Sequence, residues 1–222
     1  MACAICEERK EKRFCPAVHG RICPQCCGEQ REVTLDCPSD CPYLQQAREH
    51  ATEHAHAGQA AELDRDSSFP EVEIADQFLY EREELIVGLS FALAKSARAD
   101  RSLRDRDLMA ALGSVAKSYE TLVNSSLIYE PQTANLAHQS IAREVEMMVR
   151  EFRDAEQKHM GHTRLRDSDV LKALVFLLRM GFARTSGRPK SRAFVDFLLA
   201  QFPEKSSALA GAEDAGSRIV IP

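Results

Sequence analysis

Residues 3–41 read CAICEERKEKRFCPAVHGRICPQCCGEQREVTLDCPSDC and hold all eight cysteines of a 222-residue chain. The cysteines fall in a pattern: Cys3-x2-Cys6, a single Cys15, Cys23-x2-Cys26-Cys27, and Cys37-x3-Cys41. Two thiolates two residues apart on a tight turn both reach one ion about 2.3 Å away, and two such turns complete a tetrahedron. The segment has few large apolar residues beyond Ile5, Phe14, Ile22 and Leu35. A chain of about 40 residues cannot hold itself together on so small a core, so metal binding supplies the folding energy. The spacing therefore predicts two Zn²⁺ ions per chain. Cys3, Cys6, Cys23 and Cys26 make site 1. Cys15, Cys37 and Cys41 make site 2 together with either Cys27 or His19. Cys27 is preferred, because a spare thiol beside a zinc knuckle invites oxidation. Disulfides are the rival staple and a reducing compartment disfavours them. An iron–sulfur cluster would use four thiolates from one local run and no second set.

With His19 included, the order becomes Cys3-x2-Cys6-x8-Cys15-x3-His19-x3-Cys23-x2-Cys26-x10-Cys37-x3-Cys41, and this string resembles a RING finger. Ile5 inside the first knuckle and Pro38 inside the last extend the likeness. The segment is similar as well to B-box and HIT-type fingers, which are interaction modules without ligase activity. The resemblance to this cross-brace superfamily covers the finger alone. It implies two interleaved zinc sites in a treble-clef-like or cross-brace-like fold. For a RING-like module it further implies that Ile5 belongs to a surface docking a ubiquitin-charged enzyme.

Charge narrows the choice of partner. The chain carries 29 Lys plus Arg against 34 Asp plus Glu, a formal net charge of -5. Each zinc with four thiolates is formally a further -2, which makes the finger a poor phosphate clamp. Nucleic acid is accordingly disfavoured. The one basic stretch is Arg184, Arg188, Lys190 and Arg192, around Gly187-Arg188-Pro189, three residues similar to the core of an AT-hook. An ordinary charged loop is the preferred reading, though it marks the best anion-contacting surface in the sequence. Charged residues Glu7 to Arg13 leave no room for the apolar core of a secretory signal. The apolar run Leu85–Ala94 falls short of the roughly 18 residues of a membrane helix. A cytoplasmic protein with reduced thiols is expected, with protein partners for finger and bundle, no membrane, and a homo-oligomer left open.

Outward from the finger (1–43), residues 44–70 read as a polar helical linker and loop. His50, His54 and His56 lie there without a fourth ligand, as on a solvated helix. Residues 71–202 read as an all-α bundle of about five helices, since apolar residues recur at three- and four-residue steps. The helix from Asp167, apolar nearly all round, is the expected buried centre. Residues 203–222 form an Ala/Gly/Ser-rich tail, expected to be disordered. Leu103–Leu112 and Leu165–Leu174 match at six of ten positions. That echo suggests a duplicated helical hairpin. Asp105/Asp107 and Asp167/Asp169 read as helix caps, and Glu156, His159 and His162 as surface residues. No phosphate loop, nucleophile elbow or His-Glu-x-x-His helix is present, so no catalytic residue is assigned. The sequence reads as a zinc-binding interaction or adaptor protein, more in keeping with a binding module than an enzyme. Alternatives are a RING-like ligase module, a zinc-thiolate redox sensor and a nucleic-acid-associated regulator.

Overall fold

Leu108, Leu112 and Val115 stand four and three residues apart, so one helical face carries them all, and hiding that face requires partner helices. A computed structural model describes residues 1–55, 70–125 and 134–203. Among these the chain forms strands β1 (Arg13–Cys15) and β2 (Gly20–Ile22) and eight α-helices. The helices are α1 (Pro24–Gln30), α2 (Pro42–Ala55), α3 (Asp76–Glu81), α4 (Glu83–Ala99), α5 (Asp105–Ser125), α6 (Leu136–Met160), α7 (Asp167–Arg184) and α8 (Ala193–Gln201). The molecule is mostly helical, and the strands belong to the finger. Each is only three residues long, too short for alternation to mark it in the sequence. Residues 204–222, which include nearly all of the expected tail, lie outside the described residues, as do the loop at 64–69 and the break around Pro131.

The body is built from α3 to α8. α5 packs chiefly on α7 and α6, and α4 on α6 and α8. α7 buries Val170, Leu171, Ala173, Leu174, Val175, Leu177, Leu178 and Gly181, as befits the central helix. Gly181 admits its neighbours: a Cβ there would stand 3.2 Å from Met109 Cγ and from the Phe194 ring. α6 is amphipathic and buries only Ile141, Val145 and Val149. Leu136, five residues before Ile141 at the start of the helix, is 78% exposed. It is the first residue after the Asn135 cap, whose side-chain oxygen accepts from the N–H groups of Ala137 and His138. Phe202, just past α8, meets the Phe91 ring edge-on, centroids 5.6 Å apart.

The two echoing decapeptides adopt the same local structure. Leu103 and Leu165, Leu108 and Val170, Ala111 and Ala173, and Leu112 and Leu174 are each buried as pairs. Asp107 accepts from the N–H of Arg104 and Asp169 from that of Arg166, so both cap their own helix as expected. Their neighbours diverge. Asp167 pairs with Arg153 at the surface. Asp105 is buried and caps a different helix: its Oδ1 accepts from the N–H groups of Phe194 and Val195, and its Oδ2 from Ser191 Oγ. The echo thus contains the anchor for α8.

The finger does not stand apart on a spacer. Leu44 is buried, Tyr43 packs on the finger's cluster beneath the Arg13 guanidinium, and Arg48 reaches across to α8. The first turns of α2 are therefore part of the seam between finger and body. At its centre Glu32 is 2% exposed. Its carboxylate accepts from Arg48 at 3.0 Å and from Ser186 Oγ at 2.7 Å, and its carbonyl accepts from the N–H of Lys190 at 2.8 Å. The basic loop closes the seam: Arg188 donates to the carbonyls of Gly28 and Arg31, and Lys190 Nζ to that of Thr34. Arg192 donates to the carbonyls of Arg101 and Leu103, and Arg184 stacks over Phe197. Each of the four cations of this stretch, expected as a charged loop and the best anion-contacting surface, has an intramolecular partner.

Two stability measurements check this arrangement. Leu174→Ala opens a cavity in the central helix and is expected to cost about 2–5 kcal/mol in urea unfolding, against less than about 0.5 kcal/mol for Leu136→Ala. Glu32→Ala removes a carboxylate partner of Arg48 from the seam and is expected to cost about 3 kcal/mol, the lower end for a broken buried ion pair.

Candidate metal centre

Four of the eight thiols converge. The sulfurs of Cys3, Cys6, Cys23 and Cys26 lie within 4.8 Å of one another, three of the residues buried and Cys6 half-buried. Four thiolates around one zinc at about 2.3 Å stand about 3.8 Å apart, so this set is of the right size for one ion. Local structure positions each pair. In the first knuckle, Glu7 turns the chain in a left-handed conformation (φ 58°) and its N–H donates to the Cys3 carbonyl at 2.9 Å. The knuckle lies against the hairpin, where the N–H of Ala4 donates to the Arg21 carbonyl. Gly20 makes this approach possible, since a Cβ there would stand 3.3 Å from that of Ala4. In the second pair Cys23 is the N-cap of α1, Pro24 opens the helix, and Cys26 lies in its first turn.

The sulfurs sit among donors. The N–H of Cys23 points at Cys3 Sγ from 3.1 Å and that of Cys26 at Cys23 Sγ from 3.4 Å. Arg9 Nη1 approaches the sulfurs of Cys23 and Cys26 at 3.7 and 3.9 Å. Burial pushes the Cys3 thiol up, but N–H groups of Cys6, Cys23 and Ile5 outweigh it and bring the group down to about 6. Cys23 falls below the ordinary thiol value chiefly through the N–H of Cys26. Cys26 is pushed up to about 12 by burial and by hydrogen bonds to its three sulfur neighbours. Protons therefore hold part of the cluster together, and a dication would take their place. The hydrogen bond that Arg9 donates to Cys23 raises its guanidinium above the ordinary value. Nothing in the charged run Glu7 to Arg13 marks Arg9 in the sequence as a neighbour of the sulfurs.

The remaining cysteines are arranged differently. Cys15 ends β1, and Cys27 follows Cys26 in α1, where successive residues point about 100° apart, so Cys27 is turned away from the sulfur cluster that Cys26 joins. Cys15 and Cys27 are buried in the finger's apolar cluster with Cys37 packed against it. Burial pushes the Cys37 thiol up, and the charges of Cys15, Cys41 and Glu32 push it further, against an N–H donated by Glu32. Among the described residues only the first quartet brings three or more donors within the 4.8 Å spacing. The structure thus shows one metal-competent cluster where the spacing predicted two. All eight cysteines are free. His19 is exposed, in a left-handed conformation (φ 49°) at the end of the turn between the strands.

Glu156 accepts from Thr163 Oγ1 and from the N–H groups of Arg164 and Leu165, which ties down the turn after α6, and His159 is exposed. His50 is exposed on α2; the side chain of His54, and His56, lie outside the described residues. No helix among the described residues is long and apolar enough to cross a membrane. No protein-family model matches this chain, and comparisons with curated proteins and with solved structures return no match.

The protonation pattern has a measurable sign. Cys26 keeps its proton at pH 7, so metal capture releases at least one proton, and affinity falls as pH drops through about 6, where Cys3 becomes protonated too. Competition against a chromophoric chelator is expected to show clearly weaker binding at pH 5.5 than at pH 7.5. Arg9→Ala is expected to weaken binding about 10–100-fold at pH 7.5, the usual effect of losing an outer-shell partner.

Proposed function

We propose that this chain is a zinc-binding interaction protein, with two structural zinc ions in a treble-clef-like finger and a helical body that presents the finger in a fixed orientation. One observation carries the reading: four thiols share a space of zinc size, surrounded by N–H donors and a guanidinium. Four protein ligands close the coordination shell. A closed zinc has no open position for water or substrate, so its role is to hold the fold. A knuckle, a hairpin and a helix that carries the second pair on its first turn support the treble-clef-like assignment.

For site 2 the reading favours Cys15, Cys27, Cys37 and Cys41. Cys27 is buried in the same cluster as Cys15, whereas His19 is exposed. The charge of Cys15 and Cys41 felt at Cys37 supports a common site. Its ligands would close up around the ion, as expected where metal binding and folding are one process. An adaptor accounts for the finger better than a RING-like ligase module does. Ile5, which in the ligase reading would be offered to an enzyme, packs against the finger's own buried cluster. The finger instead exposes Phe14, 57% accessible, and Val18, 38% accessible, on the hairpin and its turn. These are suitable contacts for a protein partner.

Elemental analysis of the purified full chain tests the proposal. Two zinc ions per chain are expected, falling towards one in Cys27→Ser and staying at two in His19→Ala. Loss through His19→Ala instead would restore the RING-like reading, and a wild-type chain with no zinc would overturn the function. Chelation of the metal is expected to expose the finger to protease while far-UV circular dichroism retains most of its helical signal.

A further inference from the structure

The seam between finger and body does not close completely. On one side it leaves a cleft of about 680 Å³, walled by Asp36, Cys37, Pro38 and Ser39 of the finger and by the end of α4, the turn into α5, and α8. Four guanidinium groups line it, from Arg98, Arg101, Arg104 and Arg192, with two carboxylates, from Asp36 and Asp196. The two acids are already engaged. Asp36 accepts twice from Arg104 at 2.9 Å, and Asp196 accepts from Arg48 at 2.7 Å and Ser39 at 2.8 Å with Arg192 3.8 Å away. Arg192 is held by two carbonyls as well. The Arg98 and Arg101 guanidinium groups have no hydrogen-bond or ion-pair partner among the described residues; only the Arg101 carbonyl is engaged, by Arg192. Arg98 is half-buried in the last turn of α4 and Arg101 is exposed in the turn that follows. The lining therefore carries an excess of two positive charges, on an otherwise acidic protein. The rest of the wall includes Ala97, Leu199, Pro38 and Pro203.

We infer that this cleft binds a small phosphate monoester of about mononucleotide size. A phosphate dianion matches the uncompensated charge, and its tetrahedral oxygens suit paired guanidinium donors. The volume falls within the range of small-molecule sites, and the apolar wall takes the uncharged body of the ligand. Arg104 and Arg192 shape the wall; Arg98 and Arg101 are the binding groups. None of the four clustered thiols lines the cleft, whereas Cys37, a ligand of the proposed second zinc site, does; the phosphate site does not depend on the adaptor reading.

The test is calorimetric titration of the purified full chain with adenosine monophosphate, adenosine and inorganic phosphate. Adenosine monophosphate is expected to bind more tightly than either of the others. Arg98→Gln and Arg101→Gln are each expected to weaken it about tenfold, the loss of one charge-assisted contact. Neither should shift the melting temperature, and Arg143→Gln, on the exposed face of α6, should leave affinity unchanged. The inference is overturned if adenosine binds as well as its phosphate, or if inorganic phosphate alone matches the ester. It also falls if both arginine variants bind like the wild type. A single-stranded oligonucleotide that binds more tightly than the monophosphate through the same arginines would overturn it too, because the cleft would then be a nucleic-acid contact surface.

Discussion

Four sulfurs that crowd within 4.8 Å of each other are the constraint on which the finger depends. Thiolates at that distance repel, and thiols at that distance waste the burial of polar groups unless protons or a cation stand between them. The chain answers with N–H donors from two turns and with Arg9, and the arrangement leaves room for one dication. The knuckle, the hairpin and α1 are short elements; the knuckle and α1 deliver sulfurs and donors to one point, and the hairpin braces the knuckle through the Arg21 carbonyl. The apolar cluster around Ile22 and Leu35 fills the remaining space.

A second constraint joins that finger to the body. Glu32 carries a charge into an almost fully buried position, and such a charge persists only with partners. Arg48 and Ser186 supply them from two directions, α2 and the loop before α8. The backbone of the same residue faces both ways: its carbonyl binds the N–H of Lys190, and its own N–H is offered to Cys37. The loop that approaches the remaining cysteines is therefore the loop that grips the bundle. A change at these cysteines has a short mechanical path to the seam and to the cleft beside it, one wall of which includes Cys37.

The bundle shows how a repeated pattern acquires separate roles. Asp107 and Asp169 perform the same capping task in the two echoing stretches. Asp105 and Asp167 hold equivalent positions, but one lies at the surface while the other is buried and binds the start of α8. No property of the decapeptide distinguishes them. The difference arises from what packs opposite, and it is what fixes α8 in place, with Arg192 and Asp196 positioned against the finger.

The sequence by itself determined what depends on local spacing. Pairs of cysteines two residues apart picked out the four thiols that the fold brings together, and three- and four-residue apolar steps marked the body as helical, with the helix from Asp167 at its centre, though they suggested about five helices where six form. These features repeat within a turn or two, so neighbours along the chain suffice to specify them. The tertiary structure decided which long-range partners each charge would find. Arg188 and Lys190 looked like free cations and became clamps on carbonyls some 157 residues away for Arg188 and 156 for Lys190. Arg9, one charge in the run Glu7 to Arg13, became a neighbour of the sulfurs, and α2, expected as part of a polar linker, became part of the seam. A charged side chain carries no periodic signature of its partner; its partner is fixed by burial, which exists only once the chain has folded.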